Sequence, residues 1–475
     1  MSNSTHTGLL TRLAGTTGTD RTTLLKELSE TTQHLIDTTG RGLDLTEADL
    51  TGLDLSGADL RRATLNRAVL HSTRLVSADL SEVTMVCPGM ERTDLRGASL
   101  RSAYVHALAA QTCAFDGADL TGLRDATGTL FHGCSMRGAH LDRAHLAGSF
   151  FYQCDLSDGS ARAANLQGTL VNECLLDHAA LDGALVDQLT VTKSSLHETS
   201  LRGASGEGLV LQRLTAADGL VLAGASLPRL RLSGVRADGL EAAGLAARDA
   251  DFTETVLTGS DLTRADLSGA RISRCDLPGA LLAEAHLTGG SVASSSLRGA
   301  VLRGGHGENL HLVESDLSGA DLAGFTGRCL SARDVRLTGA DLRGANLYRA
   351  MLTGDPPRAM SLRGAVLENV TLVQAYLAAD LRDADLRGAN CAYSRFSQSD
   401  LSGAKLTGAG MYQSTWVKVP VRGADLTGVR APVFADRCPG LHEALERAGG
   451  PAAAEFSSFL GRFEAALAAG RKGST

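Results

Sequence analysis

Four cysteines carry the clearest hint of chemistry in this 475-residue chain: Cys113, Cys134, Cys154 and Cys174, twenty or twenty-one residues apart. Thiols recurring at such a spacing could build a metal ladder or a set of disulfides. Zinc sites use CxxC pairs or closely spaced His, and none of the nine cysteines stands in a CxxC pair. Thiols stacked in parallel point the same way, which disfavours bridging. They therefore read as small buried hydrophobes in one inner column, flanked by Thr93 before and Ser194 after. The thirteen His residues are scattered, as at His140, His145, His178, His286 and His311. None belongs to an HExxH helix, a phosphate loop or a nucleophile elbow. No catalytic residue, cofactor or metal is expected, and the chain reads as a non-enzyme.

The element that positions these residues has a period of five. From Leu45 to Leu120 every fifth residue is apolar: Leu45, Leu50, Leu55, Leu60, Leu65 and onward through Met85, Met90, Phe115 and Leu120. Two residues before each lies a second inward candidate, usually small, such as Ala48, Ala58, Ala98 or Cys113. Neither a helix nor a long flat strand keeps residues five apart on one face. A chain that turns a corner every five residues does. Four sides close a coil of about twenty residues, and coils stack at the parallel-strand spacing of ~4.8 Å. The class is an all-β solenoid, each coil burying its apolar side chains against its neighbours.

The units Ala118-Asp119-Leu120, Ala164-Asn165-Leu166, Ala265-Asp266-Leu267, Ala320-Asp321-Leu322, Ala340-Asp341-Leu342, Ala345-Asn346-Leu347, Ala384-Asp385-Leu386 and Ala424-Asp425-Leu426 resemble those of pentapeptide-repeat proteins. The resemblance implies a right-handed quadrilateral parallel β-helix over residues 43–431. About 390 repeat residues would make roughly nineteen coils, on the order of 90 Å long. Residues 1–42 are expected as a tail and a helix over Arg21–Asp37 that caps the solenoid. Residues 432–475 are expected as C-terminal helices, the second carrying Phe456, Phe459 and Phe463 at helical spacing. Those rings suit a cap over the last coil or a homodimer interface equally well.

Members of the quinolone-resistance kind imitate DNA on DNA gyrase and topoisomerase IV, so the resemblance allows a DNA-mimicking, protein-binding role here. Asp59, Asp79, Ser99 and Asp119 would line up on one outer wall, a column able to imitate a phosphate track. Against this, Arg61, Arg62, Arg96 and Arg101 stand close by, and the formal net charge is only −7. The alternative is a structural scaffold or spacer without DNA mimicry. The break at Asp355-Pro356-Pro357-Arg358 marks a protruding corner, either a turn or a binding loop. No direct nucleic-acid partner and no membrane partner are expected. The opening Met1-Ser2-Asn3-Ser4-Thr5-His6 lacks the order of a signal peptide, so a cytoplasmic location is expected.

The frame shifts at three places: a step of six between Leu120 and Ala126, another between Ala216 and Leu222, and a step of four between Leu377 and Leu381. Inward sizes are exchanged at Leu214 with Ala216, Leu240 with Ala242, Leu245 with Ala247 and Leu330 with Ala332, which conserves interior volume. Gly305 and Gly307 leave two inward sites empty in one coil, where local widening, narrowing or bending is expected.

Overall fold

A computed structural model describes residues 42, 44–354, 360–429 and 433–450, with five isolated positions beyond (454, 458, 461, 462 and 465). The expected helix over Arg21–Asp37, the corner with Asp355 and Arg358, and Phe456, Phe459 and Phe463 lie outside the described residues. The chain divides into two compact units, Met1–Ala237 and Asp238–Thr475.

Each unit is a parallel β-helix with four walls, numbered along each coil. Leu65, Leu70, Leu75 and Leu80 in the first unit, and Leu267, Ile272, Leu277 and Leu282 in the second, stand on the first to fourth walls. In the first unit, Leu65 and Met85 are both fully buried, and Thr64 pairs in parallel with Thr84 while Met85 pairs with Val105. Residues twenty apart therefore stand above one another. The Leu65 amide donates to Thr84 O at 2.8 Å and the Ala68 amide to Leu65 O at 3.2 Å. One bond ties adjacent coils and the other closes a corner, so the buried backbone is satisfied at each turn of the coil.

The repeat residues have local reasons. The Asp before the central Leu accepts, through Oδ1, the amide of the residue two further on, as from Thr51 to Asp49 and from Thr121 to Asp119 (both 3.0 Å). Asn165 does the same for the Gln167 amide. These are Asx turns, and they explain why Asp or Asn recurs at the corner. The fifth residue sits at positive φ, 71° at Gly52 and 59° at Arg62, which is why Gly is common there but not obligatory.

The second wall carries the regular strands. In the first unit these run from Gly89–Glu91 through Ala109–Gln111, Leu130–His132, Phe150–Tyr152, Leu170–Asn172, Thr190–Thr192 and Val210–Gln212 to Arg231–Ser233. In the second unit a ladder of the same kind runs from Asp251–Thr253 to Val433–Asp436. The last rung lies just past the sequence limit of 431. A helix follows at Leu441–Ala448, burying Leu441, Ala444 and Leu445.

Two details differ from the sequence reading. The extra residue near 215 falls earlier in the coil: Leu211 and Ala217 are buried, while Leu214 and Ala216 are partly exposed. The step of six thus lies between Leu211 and Ala217, and Leu214 and Ala216 do not exchange sizes inside. The coil with Gly305 and Gly307 is filled from the next level. A Cβ on Gly307 would meet Phe325 Cζ at 2.5 Å, and Phe325 is 1% exposed. Rings from adjacent coils fit the bore by stacking, as Phe131 on Phe151 with centroids 4.9 Å apart and planes at 14°.

Candidate interaction surfaces

The inner column of the first unit runs Thr73, Thr93, Cys113, Cys134, Cys154, Cys174, Ser194, all buried. Each stands at the small inward site. Its hydroxyl or thiol turns to a carbonyl at a corner, as Thr73 Oγ1 to Leu50 O (2.8 Å) and Cys154 Sγ to Phe131 O (3.3 Å). The Cys174 amide donates to Ser194 Oγ at 3.0 Å. A small side chain with one weak donor suits this position, which explains why Ser, Thr and Cys interchange there. Neighbouring thiols and burial push the Cys113 thiol up, far from a reactive thiolate. Among the described residues no three or more His, Cys, Asp or Glu side chains are grouped to hold a metal ion.

Asp59, Asp79, Ser99 and Asp119 do form one outer column, paired in parallel on the fourth wall. Their charge is largely offset. Arg61 Nη2 lies 2.6 Å from Asp59 Oδ2, Arg61 Nε lies 3.6 Å from Asp79 Oδ2, and Arg101 Nη1 lies 3.0 Å from Asp119 Oδ2. The Arg61 hydrogen bond holds the Asp59 carboxyl below the usual carboxylate range. The same wall of the second unit repeats the device, with Arg303 on Asp321 and Arg343 on Asp341. Surface pairs of this kind add little stability, but they convert a carboxylate track into interspersed charge.

One surface escaped the sequence reading. Along the second wall of the first unit, from Ala109–Gln111 to Val210–Gln212, the outward residues are Ala109, Gln111, Leu130, His132, Phe150, Tyr152, Leu170, Asn172, Thr190, Thr192, Val210 and Gln212. None is Asp, Glu, Lys or Arg. Leu130, Phe150 and Leu170 stack in register at 42%, 45% and 43% exposure. Leu175 and Leu185, on the two flanking walls, are also exposed. The signal was present in the doublets Leu130-Phe131, Phe150-Phe151 and Leu170-Val171, where an apolar residue occupies the outward place usually held by Asp or Ser.

Among the described residues no helix is long and apolar enough to cross a membrane. The sequence pattern of the family described as Pentapeptide repeats matches in 8 copies, over residues 44–82, 125–158, 248–282, 265–304, 332–354 and 379–415. Similar solved structures include HetL, a pentapeptide repeat protein involved in heterocyst differentiation regulation from the cyanobacterium Nostoc sp. strain PCC 7120. It is 23% identical, with 55% of this chain and 94% of that one covered and a TM-score of 0.19. Full-length QnrB1, a plasmid-mediated fluoroquinolone resistance protein, is 20% identical, with 47% and 99% covered and a TM-score of 0.22. A pentapeptide repeat protein from the Arabidopsis thaliana thylakoid lumen is 24% identical, with 29% and 80% covered and a TM-score of 0.15. No curated protein matches the chain. These likenesses concern the fold alone.

Proposed function

We propose, for a chain that belongs to the pentapeptide-repeat family, that it is a non-enzymatic protein-binding scaffold whose partner sits on the second wall of the first unit. The carrying observation is the uncharged face between Ala109 and Gln212, with Leu130, Phe150 and Leu170 exposed at its centre. Protein contact surfaces are depleted of charge and enriched in aromatic residues at their core, and contiguous exposed apolar patches mark such sites. A flat parallel sheet whose strands are already paired above and below offers this surface without an open edge.

The topoisomerase reading needs a continuous acidic face. Arg61, Arg101, Arg303 and Arg343 interrupt it, so interspersed charge supports the scaffold over DNA mimicry.

Two measurements test this. In crosslinking capture with the full chain as bait, partners retained by the wild type should be lost with Phe150→Glu/Leu170→Glu. They should be kept with Arg264→Gln, a change on the second unit. Retention of every partner by the wall variant would refute the reading. In a supercoiling assay with purified DNA gyrase, with and without a fluoroquinolone poison, neither supercoiling nor cleavage should change. A protected gyrase would replace the scaffold with the topoisomerase modulator.

A further inference from the structure

The second unit holds a surface of opposite character. Four of the chain's six tyrosines, Tyr348, Tyr376, Tyr393 and Tyr412, gather where its first wall turns into its second. Arginines lie among them. The Arg349 guanidinium carbon stands 5.3 Å from the Tyr348 ring centre and that of Arg328 stands 5.7 Å from the same ring. Arg395 lies 5.9 Å from the Tyr376 ring. Tyr393 and Tyr412 meet edge to face, 5.5 Å apart, and each is half exposed. Gln374 Oε1 accepts from both Tyr348 Oη (3.1 Å) and Arg349 Nε (2.7 Å), which holds the two side chains in place.

These arginines differ from most others in the chain. Elsewhere the rule is an Asp or Glu within 4.0 Å, as at Arg343, Arg363, Arg382 and Arg387. Among the described residues no carboxylate pairs with Arg328, Arg349 or Arg395. The first-wall residues alongside are neutral: Asn346, Thr371, Asn390 and Gly410. Among the described residues, then, this corner of a chain of net charge −7 holds three arginines without an ion-pair partner beside aromatic rings, with Glu308 one coil below Arg328.

We infer that this corner, from Arg328 to Tyr412, is a docking face for single-stranded nucleic acid. Four coil rises separate its ends, about 19 Å. Single strands are held by cations tracking phosphates and by rings on which bases stack, and the corner supplies both in alternation. Guanidinium groups lying over tyrosine rings keep N–H edges free for phosphate oxygens. The exposed Tyr393–Tyr412 pair provides ring surface for a base. A purely acidic polypeptide would use the cations and leave the rings idle. This corner belongs to the second unit and the uncharged wall to the first.

The probe is a fluorescein-labelled oligo-dT of about 15 nucleotides, titrated with the full chain and read by anisotropy. Three phosphate contacts predict a log–log salt slope of about −2, a roughly 15-fold loss between about 50 and 200 mM salt. Arg349→Gln/Arg395→Gln should flatten the slope to about −0.7. Tyr412→Leu should weaken binding by about 5- to 150-fold, the range for losing one stacked base. Arg264→Gln, whose partner is Glu284 at 2.8 Å, should change neither. Far-UV circular dichroism and emission from the single Trp416 establish that each variant is folded. Absence of saturable binding at low salt overturns the inference, as does an unaltered slope in the arginine variant. So does retention of full affinity by Tyr412→Leu with equal competition by polyglutamate, which would make the corner a site for acidic polypeptide.

Discussion

Replacing Ala161 by Leu should stabilise the first unit. Most coils pair a small inward residue with a Leu two positions on, or exchange the two. At Gly159 and Ala161 both are small, and the deficit appears as an apolar cavity of about 50 Å³ lined by Leu156, Gly159, Ala161, Leu166, Leu176 and Leu181, among others. Ala161 keeps 9% exposure where most neighbouring central residues are more fully sealed. At about 24 cal/mol per Å³ the void costs on the order of 1.2 kcal/mol. Three added carbons at ~0.8 kcal/mol each would contribute up to about 2.4 kcal/mol if fully accommodated. Incomplete fit reduces that, so a gain of about 1–2 kcal/mol is expected, within the usual range for cavity filling. Urea unfolding of the full chain followed by far-UV circular dichroism reads it as a higher midpoint for the first unit with an unchanged slope. An equal or lower midpoint would refute the claim that the void is a packing deficit open to a leucine.

Gly307→Ala should destabilise the second unit by about 1–3 kcal/mol through overpacking, because the new Cβ meets Phe325 Cζ at 2.5 Å and Leu310 Cδ2 at 3.2 Å. Adding Phe325→Leu should recover part of that loss in a double-mutant cycle; strictly additive midpoints would sever the proposed link. Native alkylation with iodoacetamide near pH 8, read by mass spectrometry, should label exposed Cys87 and Cys329 and spare Cys113, Cys134, Cys154, Cys174, Cys275 and Cys391. Burial pushes the Cys391 thiol up to about 12, leaving on the order of one thiolate in ten thousand. Acid should weaken the fold with a defined sign. Hydrogen bonds from Arg343, Arg382 and Arg387 lower the carboxyls of Asp341, Asp380 and Asp385. Their contribution is therefore complete above the unfolded value near 3.9 and is lost as pH falls through the folded ones. Thermal midpoints should be flat above about pH 5 and drop below about pH 4, less steeply with Asp385→Asn, which keeps the Asx turn as Asn390 does.

A five-residue period repeated scores of times left little freedom in the coil. Leu65 over Met85, the Cys113–Cys174 column and the Asp59–Asp119 column all follow from one number, because every copy votes for the same register and a slip would expose a whole wall. The Asx turns follow as well, since Asp and its amide partner are two residues apart. Where a coil gained a residue, the vote split: near 215 two frames have similar apolar content, and only burial of Ala217 in place of Ala216 selected between them. Charge along the walls was decided by side-chain direction, as Arg61 reaches back to Asp59 and across to Asp79. Packing at the glycine-poor and glycine-rich sites was decided by the adjacent level. Phe325 closes the space over Gly307, and nothing comparable closes the space beside Ala161. The period acts along the chain and is written locally; voids, ring stacks and ion pairs arise between coils, where residues twenty apart meet and only three dimensions show which of them touch.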